Sequence, residues 1–205
     1  ISVGHRLLRG SGHILRVPAI DLAEVGAGGG SIAVVDRSGS LRVGPQSSGA
    51  FPGPACYRLG GPDATVTDAN VLLGFLNQTH LLAGEFEIDA DLAQKAVSDN
   101  VAHPLEMSDV AAAYGIHTLV NSNMGRALRA VSSERGRDPR RFDLIAFGGS
   151  GPVHAVGLAE MLDIPRVETA SSSARPTAVP STPCTLPTTI LPVIMLRAPL
   201  RSTSP

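Results

Sequence analysis

Asp143-Leu-Ile-Ala-Phe-Gly-Gly-Ser-Gly-Pro-Val-His154 carries the clearest structural signal in the chain. Leu144 to Phe147 is a short apolar run without charge, the pattern of a strand buried on both faces. Gly148 and Gly149 end it. Pro152 suits the first turn of a following helix, where its missing N–H and fixed φ cost nothing. Val153, Val156, Ala159 and Leu162 then recur at helical spacing as far as Asp163. A passage from strand through a glycine pair into a helix bares backbone amides, and the positive end of the helix dipole favours an anion there. An ordinary strand-to-helix turn is the plainer reading of the same residues.

Working outward, Ser108 and Gly136 bracket a long helical pattern carrying Ile116, Val120, Met124, Ala127 and Val131. The polar connector Arg137-Asp-Pro-Arg-Arg141 joins it to the strand. Asn121, Asn123, Arg126 and Arg129 mark the polar side of this helix, and Asn123 and Arg126 are candidates for clasping a nucleotide. Far upstream, Gly26-Ala-Gly-Gly-Gly-Ser31 is too glycine-rich for an element interior, where each glycine costs about 0.5–1 kcal/mol relative to alanine. Successive amides of such a run can form an anion-binding nest. A flexible hairpin loop is the competing reading, because Ile32–Asp36, Ser38-Gly39 and Leu41–Val43 predict a hairpin just beyond it.

Residues 1–24 read as short strands, with Asp21 at the end of one, as a cap or facing the loop. Residues 44–62 read as a loop broken by Pro45, Pro52, Pro54 and Pro62. Cys56 lies in it with no His or second Cys at ligand spacing, which makes it a packed thiol. Thr67 or Asp68 is placed to cap a short helix, Ala69 to Phe75, and Asp68 serves equally as a cap or as a cleft carboxylate. Asp91 to Val101 predicts an amphipathic helix with Leu92, Ala96 and Val97 inward. His154 stands in the first turn after Gly148-Gly149, where the dipole disfavours its charged form, and a satisfied structural histidine is the preferred reading.

After Val167 the prolines at 176, 180, 183, 187, 192 and 199 break helices and exclude central strands. Residues 168–205 are expected to be a disordered or non-native tail, with a frame error in the gene model as one origin. The 43% hydrophobic content with 3% aromatic residues and no Trp predicts an aliphatic core. A net charge of −1 argues against a general nucleic-acid partner. Two cysteines cannot make a disulfide framework and fit a reduced, cytoplasmic setting. No apolar run approaches the roughly 20 residues of a membrane span, and no leader is visible. The chain begins at Ile1 and is expected to start within a longer gene product.

Five motifs occur in order: Val25-Gly-Ala-Gly-Gly-Gly-Ser-Ile-Ala33, Pro52-Gly-Pro-Ala-Cys-Tyr57, Thr65-Val-Thr-Asp-Ala-Asn70, Asn123-Met-Gly-Arg-Ala127 and Ala146-Phe-Gly-Gly-Ser-Gly-Pro152. Together they resemble the hydantoinase A / 5-oxoprolinase family over residues 1–167. The resemblance implies an α/β actin-like ATPase (ribonuclease H-like) lobe, the C-terminal part of a two-lobed fold that binds Mg2+ and ATP. It implies a hydrolase that opens a small cyclic amide or imide after phosphoryl activation, with a hydantoinase B-type partner. Its alternatives are an acetone- or acetophenone-type ketone carboxylase subunit and a non-catalytic actin-like scaffold. Gly28, Gly29, Gly30 and Ser31 would face phosphate or substrate, and Gly148, Gly149 and Ser150 would cradle the adenosine side. The family usually follows the aspartate at Asp21 with His and Thr, where this chain has Ala23 and Glu24. No Asp-x-Gly-Gly-Thr phosphate loop occurs in residues 1–205, so the isolated chain is expected to be inactive.

Overall fold

The computed structural model describes residues 24–169 and the backbone of residues 193–197. Asp21, the strands expected before residue 24, Cys184 and most of the proline-rich tail lie outside the described residues. The first element is the expected hairpin, β1 (Ser31–Val35) against β2 (Leu41–Ser47), with Val34 opposite Arg42. Its tight end is made by Asp36, whose carboxylate accepts from the amides of Ser38 and Ser40 and from Arg42. Those bonds hold Asp36 well below the usual carboxylate range, the Ser38 hydroxyl contributing most.

Helix α1 (Val66–Leu72) begins one turn earlier than the sequence suggests. Thr65 is the N-cap and Asp68 the third helical residue of a capping box, so neither Thr67 nor Asp68 starts the helix. A small hairpin, β3 (His80–Leu81) with β4 (Phe86–Glu87), leads into α2 (Ala90–Val97). Helix α2 ends at Val97 and widens into a π-helical turn, Ser98–Ala102. Its inward residues are Ala93, Ala96 and Val97, whereas Leu92 is 38% exposed. Ala96 and Val97 face inward as expected, and Ala93 takes the inward place expected of Leu92.

Helix α3 (Asp109–Val131) is capped by Ser108, which accepts from the amide of Ala111 at 3.3 Å. Ile116, Val120, Met124 and Leu128 form its buried stripe. The chain then turns at Gly136, whose φ of 70° is a left-handed conformation that glycine adopts without strain. Strand β5 (Asp143–Phe147) follows, with Leu144 and Ala146 fully buried. It runs into α4 (Gly151–Met161) and then β6 (Val167–Thr169), which pairs parallel to β5. On the other side β7 (Val193–Arg197) pairs antiparallel, Asp143 facing Arg197 and Phe147 facing Val193. Those five residues are a proline-free interval between Pro192 and Pro199 and form an edge strand, the place in a sheet that nearby prolines permit. The carboxylate of Asp143 holds Arg166 through two bonds of 2.9 and 3.0 Å, tying the start of β5 to the approach to β6.

One aliphatic core joins α1, α3, α4, β1 and β5, with Val66, Ile116, Val120, Leu144 and Leu158 at 0% exposure. No helix among the described residues is long and apolar enough to cross a membrane. The crossing of α3 and α4 is close because both present glycine. A Cβ on Gly157 would lie 2.8 Å from Asn121 Nδ2, and one on Gly125 would lie 2.6 Å from Met161 Sδ. Met161 is flexible and can move; the Asn121 amide is held by hydrogen bonds. Gly157→Ala is therefore expected to cost about 2 kcal/mol net, after roughly 1 kcal/mol gained in helix propensity, and Gly125→Ala less. A thermal melt checks this. Equal melting temperatures for wild type and Gly157→Ala would contradict it.

Candidate functional site: two glycine turns at the start of α4

The first glycine run closes on itself before β1. The amide of Gly28 donates to Ser31 Oγ at 2.9 Å, and the amide of Ser31 donates back to the Gly28 carbonyl at 3.0 Å. The carbonyl of Gly29 accepts from the amide of Thr67 at 2.8 Å, and that of Gly30 accepts from the amide of Ser48 at 2.9 Å. Both carbonyls are thus turned into the protein. The amides of Gly29 and Gly30 meet no acceptor among the described residues.

The second turn is built by the end of β5. Gly148 has φ 87°, which redirects the chain into α4. Ser150 is the N-cap of α4, yet its hydroxyl makes no capping bond, and Ser150 Oγ is buried without a partner among the described residues. An orphaned buried hydroxyl calls for an explanation, and an absent ligand atom is one. The two turns touch. A Cβ on Gly29 would lie 2.7 Å from Thr67 Oγ1 and 3.4 Å from Ser150 Oγ. One on Gly30 would lie 2.8 Å from Ser47 Oγ. Glycine is needed at both positions because hydroxyl groups crowd the space a side chain would take. The result is a patch of bare amides and hydroxyls at the positive end of an 11-residue helix, able to receive an anionic or polyhydroxylated group.

Of the other residues singled out from sequence, Asp68 is fully buried and saturated. It accepts from the amides of Ala55, Cys56 and Thr65 and from the Thr65 hydroxyl, at 2.7–3.2 Å. This is the cap reading, extended to a second task of anchoring the 55–57 turn. Gly28 and Ser31 are buried within their own turn, Gly29 is the member of the run that meets Ser150, and Gly30 lies against Ser47 and Ser48. Asn123 donates to the Val43 carbonyl at 3.2 Å and accepts from Arg126. Both line a cavity of about 660 Å³ with Glu24, Gly26, Arg42 and Pro45. Gly26 connects that cavity to the first glycine turn.

His154 is completely buried, one turn into α4, and it is satisfied. Its partners were not visible in the sequence. Asn70 of α1 donates to His154 Nε2 at 3.3 Å, and His154 Nδ1 donates to Asn121 Oδ1 of α3 at 2.7 Å. Asn121 Nδ2 donates to His117 Nε2 at 3.0 Å, and His117 Nδ1 returns to Asn70 Oδ1 at 2.8 Å. The four side chains close a ring in which each group gives one proton and takes one. That balance requires both imidazoles to be neutral, whichever way round the amides are assigned. The two imidazoles stack with centroids 4.8 Å apart, and Phe75 covers His117. Burial pushes His117 down, and burial together with the neighbouring His117 pushes His154 down to about 4. Asn121 therefore faces inward, not along the polar side of α3 as its neighbours suggested. Its signal, and that of His117, was a position one residue after Val120 and Ile116 in the buried stripe.

The described residues thus define a mixed α/β domain whose two glycine turns meet at the N-terminus of a helix. The same arrangement of chain is similar to the crystal structure of the ATP-dependent caprolactamase from Pseudomonas jessenii, with a TM-score of 0.69 and 48% sequence identity over 75% of this chain and 22% of that one. The chain belongs to the hydantoinase/oxoprolinase family, whose model matches residues 3–179. An uncharacterized protein of Methanocaldococcus jannaschii is 52% identical over 78% of this chain and 23% of its own length. The acetophenone carboxylase gamma subunit of Aromatoleum aromaticum is 44% identical over 75% of this chain and 21% of its own. The chain spans between a fifth and a quarter of the length of these relatives.

Proposed function

We propose that this chain is part of an ATP-dependent cyclic-amide hydrolase and that its two glycine turns line the nucleotide side of an actin-like (ribonuclease H-like) lobe. One observation carries the reading: Gly29 and Ser150 meet, and the meeting place offers unpaired amides and an orphaned buried hydroxyl. The donor set fits the oxygens of a phosphate chain or a ribose. Asp68, the buried carboxylate behind the first turn, is fully engaged by protein donors and is not available to Mg2+. Magnesium is assigned to no residue here.

Bound ATP would supply the phosphoryl group that turns an amide oxygen into a leaving group. The chain's own part is positioning and charge stabilisation. The amides of Gly29 and Gly30 and the first amides of α4 are fixed before the ligand arrives, so they meet negative charge without reorganising. Thr67 holds Gly29 from behind, leaving its N–H outward. Similarity to the caprolactamase supports the cyclic-amide class. Relatives named as alpha and gamma subunits support a second, hydantoinase B-type subunit, and a cytoplasmic setting suits the two-cysteine composition.

The test is ADP release by the full-length protein with its partner subunit, offered 5-oxoproline, hydantoin or caprolactam. At least tenfold stimulation by one of these is expected. Ser150→Ala should raise the KM for ATP roughly tenfold, the worth of one hydrogen bond to a charged oxygen. Stimulation by a ketone with bicarbonate, and by no lactam, would move the protein to the carboxylase branch. Silence with every substrate would make it a scaffold.

A further inference from the structure

The ring of Asn70, His117, Asn121 and His154 lies directly behind the two turns. Asn70 is three residues after Thr67, which holds the Gly29 carbonyl, and His154 is four residues after Ser150. Asn121 and His117 come from α3, which packs on both α1 and α4. We propose that these four residues are positioning residues. By joining α1, α3 and α4 in one closed hydrogen-bond cycle, they fix the spacing of the Gly29 turn and the Ser150 turn and so set the shape of the ligand patch. This rests on the functional reading above for what the patch binds, but not for how the patch is held.

Three features support it. First, aliphatic side chains would fill the same volume without requiring matched partners, whereas a fully satisfied polar cycle admits a single arrangement of the helices that carry it. Second, the cycle leaves no slack. Each of its four bonds is 2.7–3.3 Å long, and removing any member strands two buried partners. Third, Gly157 lets α4 approach until a Cβ there would press on the Asn121 amide, so the helix crossing and the ring are set together. The ring residues touch no ligand position themselves. They act through Thr67 on one side and the first turn of α4 on the other.

The test uses the full-length protein without any ligand. Hydrogen exchange is followed at the Thr67 amide, which bonds the Gly29 carbonyl, and at the Val153 amide, which bonds the Ser150 carbonyl. Asn121→Leu keeps the bulk but breaks the cycle, and should speed exchange at both amides at least tenfold. Asn121→Ser, which leaves room for a water, serves if the leucine variant does not fold, and should act in the same direction. His154→Gln retains one donor and one acceptor and should restore both amides to within about threefold of wild type. Val101→Ala opens a cavity in the π-helical turn, outside the four-residue ring, and serves as the control for lost stability alone. It should leave both turns protected.

Unchanged exchange at either turn in the Asn121 variants overturns the proposal. So does equal acceleration in Val101→Ala, which would mean that the ring merely adds stability. ATP binding by the wild-type protein is measured separately. Its absence would sink the nucleotide reading while the exchange result still decides the ring.

Discussion

Asp68→Ala is expected to destabilise the fold by roughly 3–5 kcal/mol. The carboxylate is fully buried and receives four donors, three of them backbone amides. Removing it deletes the capping box of α1, worth about 1 kcal/mol, and strands the amides of Ala55, Cys56 and Thr65, each costing on the order of 1 kcal/mol or more when buried. At about 2–4 °C per kcal/mol the melting temperature should fall by roughly 6–20 °C. Asp68→Asn separates shape from charge. One amide group must face either the Cys56 N–H or the Thr65 donors, so this variant should lose about half as much. A fall of less than about 3 °C for Asp68→Ala would show that water replaces the carboxylate freely.

Acid should unfold this protein through its buried imidazoles. His154 titrates near 4 when folded and near 6.5 in an unfolded chain, so between those values the unfolded state binds a proton that the folded state refuses. Stability from this source is complete above about pH 6.5, falls as the pH drops towards 4, and is flat below that. The gap between folded and unfolded titration amounts to about 3 kcal/mol. His117 is shifted in the same direction and adds to the loss. The physical reason is the donor count of the ring, because a second proton on either imidazole leaves an N–H aimed at another N–H. Urea unfolding of wild type and His154→Gln at a series of pH values from 7.5 to 4.5 isolates the effect from surface carboxylates. Wild type should lose stability relative to His154→Gln steadily as the pH falls. Parallel stability curves would refute the assignment of neutral imidazoles.

The parts of the site legible in the sequence were those written in local pattern. Leu144–Phe147 followed by Gly148-Gly149 announced a buried strand turning into a helix, because burial and chain reversal each have a local signature. The same holds for the β1–β2 hairpin and for Ser108 as the cap of α3. The meeting of Gly29 with Ser150 rested on resemblance, since no spacing rule connects residues so far apart. The ring was legible only in that His154 reads as a satisfied structural histidine. Three of its four bonds span 84, 47 and 33 residues, and each member alone looks like an ordinary polar residue on a helix. Asp68 was half legible: the cap is local, but the turn it anchors lies 12 and 13 residues earlier. The strand Val193–Arg197 was hidden by averaging, because the prolines around it outweighed the five residues without one.

Cys56 sits where the Asp68 anchor and the α2 cap region meet. Its amide donates to Asp68 at 2.8 Å, its carbonyl accepts from the amide of Asp89 at 2.9 Å, and its side chain is 0% exposed. Burial, and then the nearby Asp68 charge, push its thiol far above the usual range, so Cys56 in the native fold presents no thiolate to an alkylating reagent. The molecule therefore carries its own stopwatch. Each time the 53–58 segment lifts away from α1 and α2, the sulfur becomes reactive, and the speed of labelling counts those excursions without any probe having to be introduced.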